Sequence, residues 1–493
     1  MTITQIIGLV VVLVLAVIAG IFITKSNKNT LVKWVTLFVL LSVSCTWIFA
    51  YGYFSGAEYS EYGMSRLGFS DIPNIFYYAL NFAGDKIIFL LAVGCLYAVL
   101  SKIEGYKKLV SKIAKMMKGK EILFTVVTSL LFVVFASLLN QTFVALMFVP
   151  FVISIILAMK LDKLTAFSVT FGSILIGLLG VTYGGEGPYW FNYYTGLTLQ
   201  TGLLYRALIL VVAYILFNII NVLHIKKLQK VNLVNEADAD PFKVEKVDES
   251  ARTWPFIVIL SFLLVLMILG HFDWKNVFGI EIFAKFHTWL MGLQIGDVAI
   301  FQSLFGTLAK DAAFGSWSLF HMSTIIMLMT VLIALIGRLK AADVFAAYGE
   351  GAKKMGKSIF LFIGIYMVMI AAYMAPFVPT IVNMVAGLTD SFNPFITTFL
   401  AFISNVFHTD FGFTGYTVGT FFVNAYAEST TLVHLIFTTM YGFMGIVAPT
   451  SAILMIGLGY LDIEFKSWIK YIWLFAVAIL IILLVLFTVL AYI

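Results

Sequence analysis

Apolar runs follow one another along almost the whole chain, and polar residues gather in short clusters between them. A helix needs about 20 consecutive apolar residues to cross the hydrocarbon of a bilayer. On that ruler the pattern predicts spans over 3–23, 34–54, 86–101, 164–200, 202–223, 255–271, 317–336, 358–375, 429–460 and 468–493. Two further apolar stretches, 123–159 and 393–428, hold a polar cluster in their middle. In the first it is Asn140-Gln141-Thr142; in the second it is His408-Thr409-Asp410, a few residues after Ser404-Asn405. Each stretch reads as a re-entrant hairpin with the cluster at its tip. Each is followed by a span interrupted by Gly or Pro, at Thr182-Tyr183-Gly184-Gly185-Glu186-Gly187-Pro188 and at Ala448-Pro449-Thr450-Ser451. Irregular backbone at membrane depth survives only where protein or a water-filled cavity satisfies its hydrogen bonds. Paired interruptions in two halves are the sequence sign of inverted repeats around a midplane site. The predicted fold is an all-α polytopic membrane protein of two inverted repeats, 1–223 and 254–493, joined by a cytoplasmic linker, 224–253, with ten transmembrane helices and two re-entrant hairpins.

Charge sets the orientation. Lys102, Lys107, Lys108, Lys112, Lys115, Lys118 and Lys120 form one basic run, and Lys25, Lys28, Lys33, Arg338, Lys340, Lys353, Lys354 and Lys357 lie in two more loops. All of these loops fall on one side of the ten-span scheme, as cytoplasmic loops should. Both termini then lie outside, and the first span is a retained one rather than a cleaved signal peptide. The run 102–120 alternates Lys with Leu109, Val110, Ile113, Met116 and Met117 and predicts an amphipathic helix at the interface. Segments 55–85 and 272–315 are external. Composition agrees: 62% of residues are hydrophobic and 11% charged, with mean hydropathy +1.03, against about 25% charged in a soluble domain. The net charge of +6 therefore points to flanking loops, not to nucleic acid. The expected location is the cell membrane, as a multi-pass protein of the bacterial plasma membrane.

The candidate site follows from the tips and breaks. Glu186 stands between two glycines within a span, where an ionisable residue is a functional candidate by default. Asp410 and His408 hold the corresponding place at the second tip. Asn140, Gln141, Thr142, Gly185, Glu186, Asn405, His408, Thr409, Thr450 and Ser451 are the candidate solute contacts. Asp410, Glu186 and the carbonyls freed near Pro449 are candidate Na+ ligands, since proline removes a hydrogen bond one turn back. A solvated external loop is the competing account of Glu186 and Asp410, interhelical glue that of the neutral polar residues, and a plain kink that of Pro449. Neither motif contains Lys or Arg, which disfavours a dianion unless cations neutralise it and favours an amino acid, including a cationic one. No H-E-x-x-H, G-x-S-x-G or Cys/His metal set is present, and Cys45 and Cys95 sit apart in apolar runs, so no enzyme is expected.

Tyr348-Gly349-Glu350-Gly351-Ala352-Lys353-Lys354-Met355, Lys86-Ile87-Ile88-Phe89, Ala448-Pro449-Thr450-Ser451-Ala452-Ile453-Leu454-Met455 and Lys466-Ser467-Trp468-Ile469-Lys470 together resemble YfcC-like carriers of the C4-dicarboxylate anaerobic carrier family, over roughly residues 70–490. The resemblance implies the wider ion-transporter superfamily, with a scaffold domain, a moving transport domain and elevator-type alternating access. It also implies uptake or exchange of small organic carboxylates or amino acids, often cation-coupled. Two departures fall at the inferred site: Asn140-Gln141 stands where the family tends to have an acidic pair, and Gly184-Gly185-Glu186-Gly187-Pro188 where it tends to have Asn-Pro. The expected function is a secondary transporter of an amino acid or dicarboxylate, coupled to Na+ or H+ or to exchange; the alternative is a sodium/proton antiporter. Expected partners are the solute, Na+ or H+, the bilayer and a second copy of the chain in a homodimer. No cofactor is expected beyond Na+.

Overall fold

The computed structural model describes residues 3–26, 28–230, 240–243, 247–389 and 391–492. Among them, nine helices are long and apolar enough to cross a membrane, or ten when Phe69–Phe82 and Gly84–Leu100, bent by 64° at Ala83, count as one span. The described strands form two small antiparallel pairs, Tyr51–Ser55 with Glu58–Gly63 and Gln294–Ile295 with Val298–Ala299. The protein is an almost entirely helical, multi-pass membrane protein.

Both apolar stretches with polar middles fold as helix–turn–helix. The first runs Glu121–Leu138 and Thr142–Ala158; the second runs Pro394–His408 and then Phe411 to Ala425. Local chemistry sets the second start: Asn393 accepts hydrogen bonds from the Phe395 and Ile396 N–H groups (2.9 and 3.2 Å), with Pro394 at the first helical position. The spans after the hairpins are broken as well, into Lys163–Leu179 and Glu186–Thr195, and into Thr430–Val447 and Ala452–Tyr460.

The packing forms two groups that meet directly. Thr30–Ile48, Gly84–Leu100, Leu319–Ile336 and Ala341–Met374 pack on one another, the hairpins pack with the broken helices and Phe465–Tyr492, and Ala341–Met374 packs along Ala452–Tyr460, with the Ser358 hydroxyl donating to Ile456 O at 2.8 Å. Gly94 faces the Gly351 backbone so closely that a Cβ there would come within 2.9 Å of the Gly351 carbonyl oxygen. In the second group Thr430–Val447 crosses Ser173–Leu179 at Gly442.

Four expectations change. The basic loop before the span expected at 358–375 is helical: Ala341–Met374 runs unbroken for 34 residues. Gly351 within it is held by its contact with Gly94, and Glu350 pairs with Lys354 at 2.7 Å and Lys102 at 3.2 Å. The span expected over 34–54 stops at Ile48, because Tyr51–Ser55 turns into a strand paired with Glu58–Gly63, and the segment expected to be external, 55–85, goes on to form the helix Phe69–Phe82. The amphipathic helix is present as Glu104–Met116, but it buries Tyr106, Leu109, Val110 and Ala114 and packs against the returning arm of the first hairpin. Part of its lysine run is paired, Lys115 with Glu249 at 2.7 Å and Lys107 with Glu104 at 2.7 Å.

Gly349 tests the packing rule from the permissive side. It is an exposed helical position with nothing near its missing Cβ. Gly349→Ala is expected to raise stability by about 0.5–1 kcal/mol, read as a small upward shift in the thermal unfolding of detergent-solubilised protein.

Candidate functional site

The first break is closed by the first tip. The N–H groups of Thr182, Tyr183 and Gly184 all donate to the Ser137 carbonyl (3.3, 3.2 and 2.8 Å), and Gly185 N–H donates to Leu139 O at 2.8 Å. The buried Arg206 guanidinium donates to the carbonyls of Val181 (2.9 Å) and Thr182 (2.8 Å), and also to that of Leu199. Irregular backbone thus keeps its hydrogen bonds without water. Gly185 has φ +87°, and a Cβ there would come within 2.9 Å of Pro188 Cδ, so glycine is required.

The second tip docks on the helix beyond that break. Asp410 accepts hydrogen bonds from Gly412 N–H (2.8 Å) and Phe413 N–H (3.3 Å) and caps the short helix that follows. Phe411 stacks on Phe191 with ring centroids 4.3 Å apart, and a Cβ on Gly187 would reach Phe411 Cβ at 3.0 Å. Thr409, between the arms, has φ +58°. A β-branched residue there is an outlier costing about 1–3 kcal/mol, a strain found at sites that use it.

Both tips and the first break meet around Lys86. Its Nζ lies 3.4 Å from Glu186 and 3.3 Å from Asp85, and 6.0 Å over the Phe143 ring. A small chamber of about 50 Å³ is lined by Lys86, Gln141, Thr142, Gly185, Glu186, Thr409, Asp410, Tyr366 and Tyr441, and by Ala452 and Ile453 at the start of the helix beyond the second break. The hydroxyls of Thr142 and Thr409, one from each tip, are buried and without a partner. Two helices, Glu186–Thr195 and Ala452–Tyr460, present their N-termini to this chamber. Those termini favour negative charge.

Lys86, Glu186, Tyr366 and Asp410 also line a larger cavity of about 620 Å³, within the range of about 300–1,000 Å³ usual for small-molecule sites. Its wall is aromatic, with Phe82, Trp190, Tyr194, Phe320, Tyr366, Tyr373, Phe413 and Tyr416, and it also includes Asp85. Phe82, Phe320 and Tyr373 lie at helix ends away from the basic loops, so the cavity opens on the side opposite to them. With all groups ionised, one lysine faces three carboxylates, a formal charge of two negative units.

The sequence candidates divide cleanly. Gln141, Thr142, Gly185, Glu186, Thr409 and Asp410 come together in the inner chamber. Asn140 does not line it: its amide donates to Gly315 O (3.1 Å) and its oxygen pairs with His271 Nδ1 (2.9 Å), tying the tip to the outer end of Trp254–His271. His408 is buried beside Thr417 (3.2 Å) and Phe413 (ring centroids 4.7 Å apart). Asn405 accepts from the Thr414 hydroxyl at 2.9 Å, inside the hairpin. Pro449, Thr450 and Ser451 form the second break without lining either cavity. The Thr450 hydroxyl turns toward Met444, and Ser451 caps the next helix through Leu454 N–H (3.4 Å). The expectation of a site without a basic residue is overturned, because Lys86 comes from a different helix than either motif. Lys86, Asp85 and the aromatic wall were missed; an ionisable pair at the head of an apolar span was the available signal. Among the described residues, no group of three or more His, Cys, Asp or Glu side chains is arranged to hold a metal ion.

The family model DcuC, the C4-dicarboxylate anaerobic carrier, matches residues 3–492. No curated protein matches the chain. Among solved structures, the chain is similar to the Alcanivorax borkumensis YdaH transporter, at 12% identity and TM-score 0.38 over 93% of this chain and 97% of that one. It is also similar to Neisseria gonorrhoeae MtrF, at 12% identity and TM-score 0.37 over 94% and 97%. At that level neither bears on what this chain carries.

Proposed function

The chain belongs to the C4-dicarboxylate anaerobic carrier family, a family of carriers and not of enzymes, and on that footing we propose that it is a secondary transporter of a small carboxylate-bearing solute, an amino acid before a dicarboxylate. The observation that carries this reading is Lys86, a buried ammonium between two hairpin tips, paired with Glu186 at 3.4 Å and Asp85 at 3.3 Å. A solute carboxylate displaces an acid from Lys86 and takes the field of two helix N-termini. The freed acid then faces a solute ammonium or a coupling cation. A zwitterion satisfies both signs at once, and the aromatic wall covers its apolar part and attracts its ammonium. A dianion would add two negative charges to a site already negative and would need Na+ or H+ to accompany it.

The coupling ion of this reading is Na+ or H+. For Na+, the oxygen donors are the unpartnered hydroxyls of Thr142 and Thr409 with the carboxylates of Glu186 and Asp410, around a chamber of about 50 Å³. Hard cations take oxygen donors of this kind. Alternation would follow an elevator, with hairpins and broken helices moving as a transport domain against the four-helix group as scaffold. The hairpins would be re-entrant from opposite faces, in inverted repeats over 1–223 and 254–493, and the scaffold would pair in a homodimer.

Proteoliposomes test it. Labelled amino acids are expected to accumulate under an inward Na+ or H+ gradient. Glu186→Gln is expected to keep solute exchange while losing gradient-driven accumulation, because it removes the cation's acid and leaves Lys86. If no amino acid or dicarboxylate moves, yet a Na+ gradient drives proton flux that Glu186→Gln abolishes, the chain is a sodium/proton antiporter and the solute reading is wrong.

A further inference from the structure

The linker between the halves returns into the protein at Asp240-Pro241-Phe242-Lys243. Asp240 and Phe242 are buried, Phe242 completely. Asp240 accepts from the Ser154 hydroxyl at 2.6 Å and from Phe242 N–H at 2.9 Å. The Phe242 ring lies 6.1 Å from Tyr97 and 6.4 Å from Tyr460, and the Lys354 ammonium stands 4.8 Å over its face. Tyr106 and Tyr460 lie within electrostatic reach of Asp240. The Tyr97 hydroxyl reaches the Phe151 backbone and the Tyr106 hydroxyl reaches Ser154, the residue that also holds Asp240, while the Tyr460 hydroxyl is buried with no partner. The buried carboxylate thus sits in a polar chamber with one donor left over.

The contacts of this segment span both helix groups. Tyr97 and Lys354 belong to Gly84–Leu100 and Ala341–Met374; Ser154 and Tyr460 belong to the returning arm of the first hairpin and to the helix after the second break. The segment lies on the basic-loop side, while the large cavity opens on the other. We propose that Asp240–Lys243 is a tethered plug: it wedges the two helix groups together on the cytoplasmic side, with Asp240 as its key, and must leave before they can slide and release solute inward. This rests on the carrier reading above, taken with the large cavity open on the side opposite the basic loops.

The key is sensitive to charge. Burial raises the Asp240 carboxyl from 3.8 to about 6, opposed by the Ser154 hydroxyl, the Phe242 N–H and the Lys354 ammonium. A raised acid binds its proton more tightly when docked. Docking is therefore firmest below the undocked value of 3.8, weakens as pH climbs to about 6, and stays at its weaker level above that. The two-unit difference is about a hundredfold in the docking equilibrium. Ser154, Tyr97, Tyr106, Tyr460 and Lys354 are the groups facing Asp240 and its segment from the elements packed on it.

Limited chymotrypsin digestion of the purified full chain near neutral pH tests the plug, with cleavage of the Phe242–Lys243 bond followed by mass spectrometry. Docked, Phe242 cannot enter a protease. Asp240→Asn, neutral at every pH, is expected to cut tens of times more slowly than the parent. Ser154→Ala is expected to cut about tenfold faster, having lost a bond to a charged group. In proteoliposomes Asp240→Asn should also lower turnover several-fold with KM for outside solute unchanged. If the bond is cut at one rate in all three proteins, or Asp240→Asn is cut faster than the parent, there is no plug. If the cleavage pattern holds but no solute is ever transported, the plug stands and the carrier reading fails.

Discussion

Lys86→Gln is expected to remove solute uptake almost completely while leaving a folded protein. Removing one partner of a buried, hydrogen-bonded charge pair costs about 2–5 kcal/mol, which is about thirtyfold to several thousandfold in affinity. The loss should be largest for the solute, because a solute carboxylate has no other ammonium in either cavity. Glutamine keeps a hydrogen-bond donor on a chain one atom shorter, but not the charge. Lys86→Arg separates charge from shape: it is expected to keep measurable uptake with a weakened apparent affinity. The measurement is counterflow of labelled amino acid in proteoliposomes, with size-exclusion behaviour as the control for folding. Uptake by Lys86→Gln within a few-fold of the parent would remove Lys86 from the site and with it the argument for a carboxylate-bearing solute.

Glu186 is the second half of the same balance, and the two variants should differ in kind. Without Lys86 the solute loses its partner. Without the Glu186 charge, Lys86 loses a competitor within the protein, so exchange persists while coupling fails. A purely structural ion pair would give the same phenotype from either side.

The hairpins and breaks were legible in the sequence because hydrocarbon punishes polar backbone. Asn140-Gln141-Thr142 and His408-Thr409-Asp410 stand out inside apolar runs, and turns occur at both. Element ends agree within a few residues where local chemistry sets them, at Pro394, Gly180, Pro188 and Pro449, whereas the spans expected over 34–54 and 202–223 are Thr30–Ile48 and Leu203–Lys230. What local chemistry does not decide was misread. The basic stretch 338–357 resembles a loop in hydropathy, yet Gly351 on Gly94 and the Glu350 ion pairs hold most of it in one long helix.

The site was half legible. Residues at a tip point in different directions, and the sequence does not say which. Gln141 and Thr142 turn to the inner chamber, whereas their neighbour Asn140 turns to His271 and Gly315. His408 and Asn405 have the right residue types but spend their polar atoms on the hairpin itself and, for the Asn405 amide, on the Phe437 carbonyl of the next helix. Lys86 lies about a hundred residues before Glu186 and reaches it only through the packing of two separate helices. Counting charges within the motifs therefore gave a site without a cation. The count over the assembled cavity, one lysine and three acids, restores a carboxylate partner and still leaves the site negative.

Gly442→Ala is expected to be the most damaging of the small substitutions. Thr430–Val447 crosses Ser173–Leu179 there, and a Cβ on Gly442 would come within 2.6 Å of the Leu178 carbonyl carbon and closer still to the Leu179 backbone. Those neighbours are main chain, so no rotamer change relieves the clash and the two helices must part. Overpacking of this kind costs about 1–3 kcal/mol or more. Leu179 is followed directly by the break whose N–H groups bond to Ser137 and Leu139. Separating the helices therefore displaces the first tip, Gly185 and Glu186 together. Thermal unfolding in detergent should drop by several degrees, against the small rise expected for Gly349→Ala. Counterflow should fall even below the melting temperature, because near-ångström displacements of positioned groups cost large factors in function. Parent-like melting and parent-like counterflow in Gly442→Ala would mean that the crossing is looser than drawn and that the two breaks are not held in register by it.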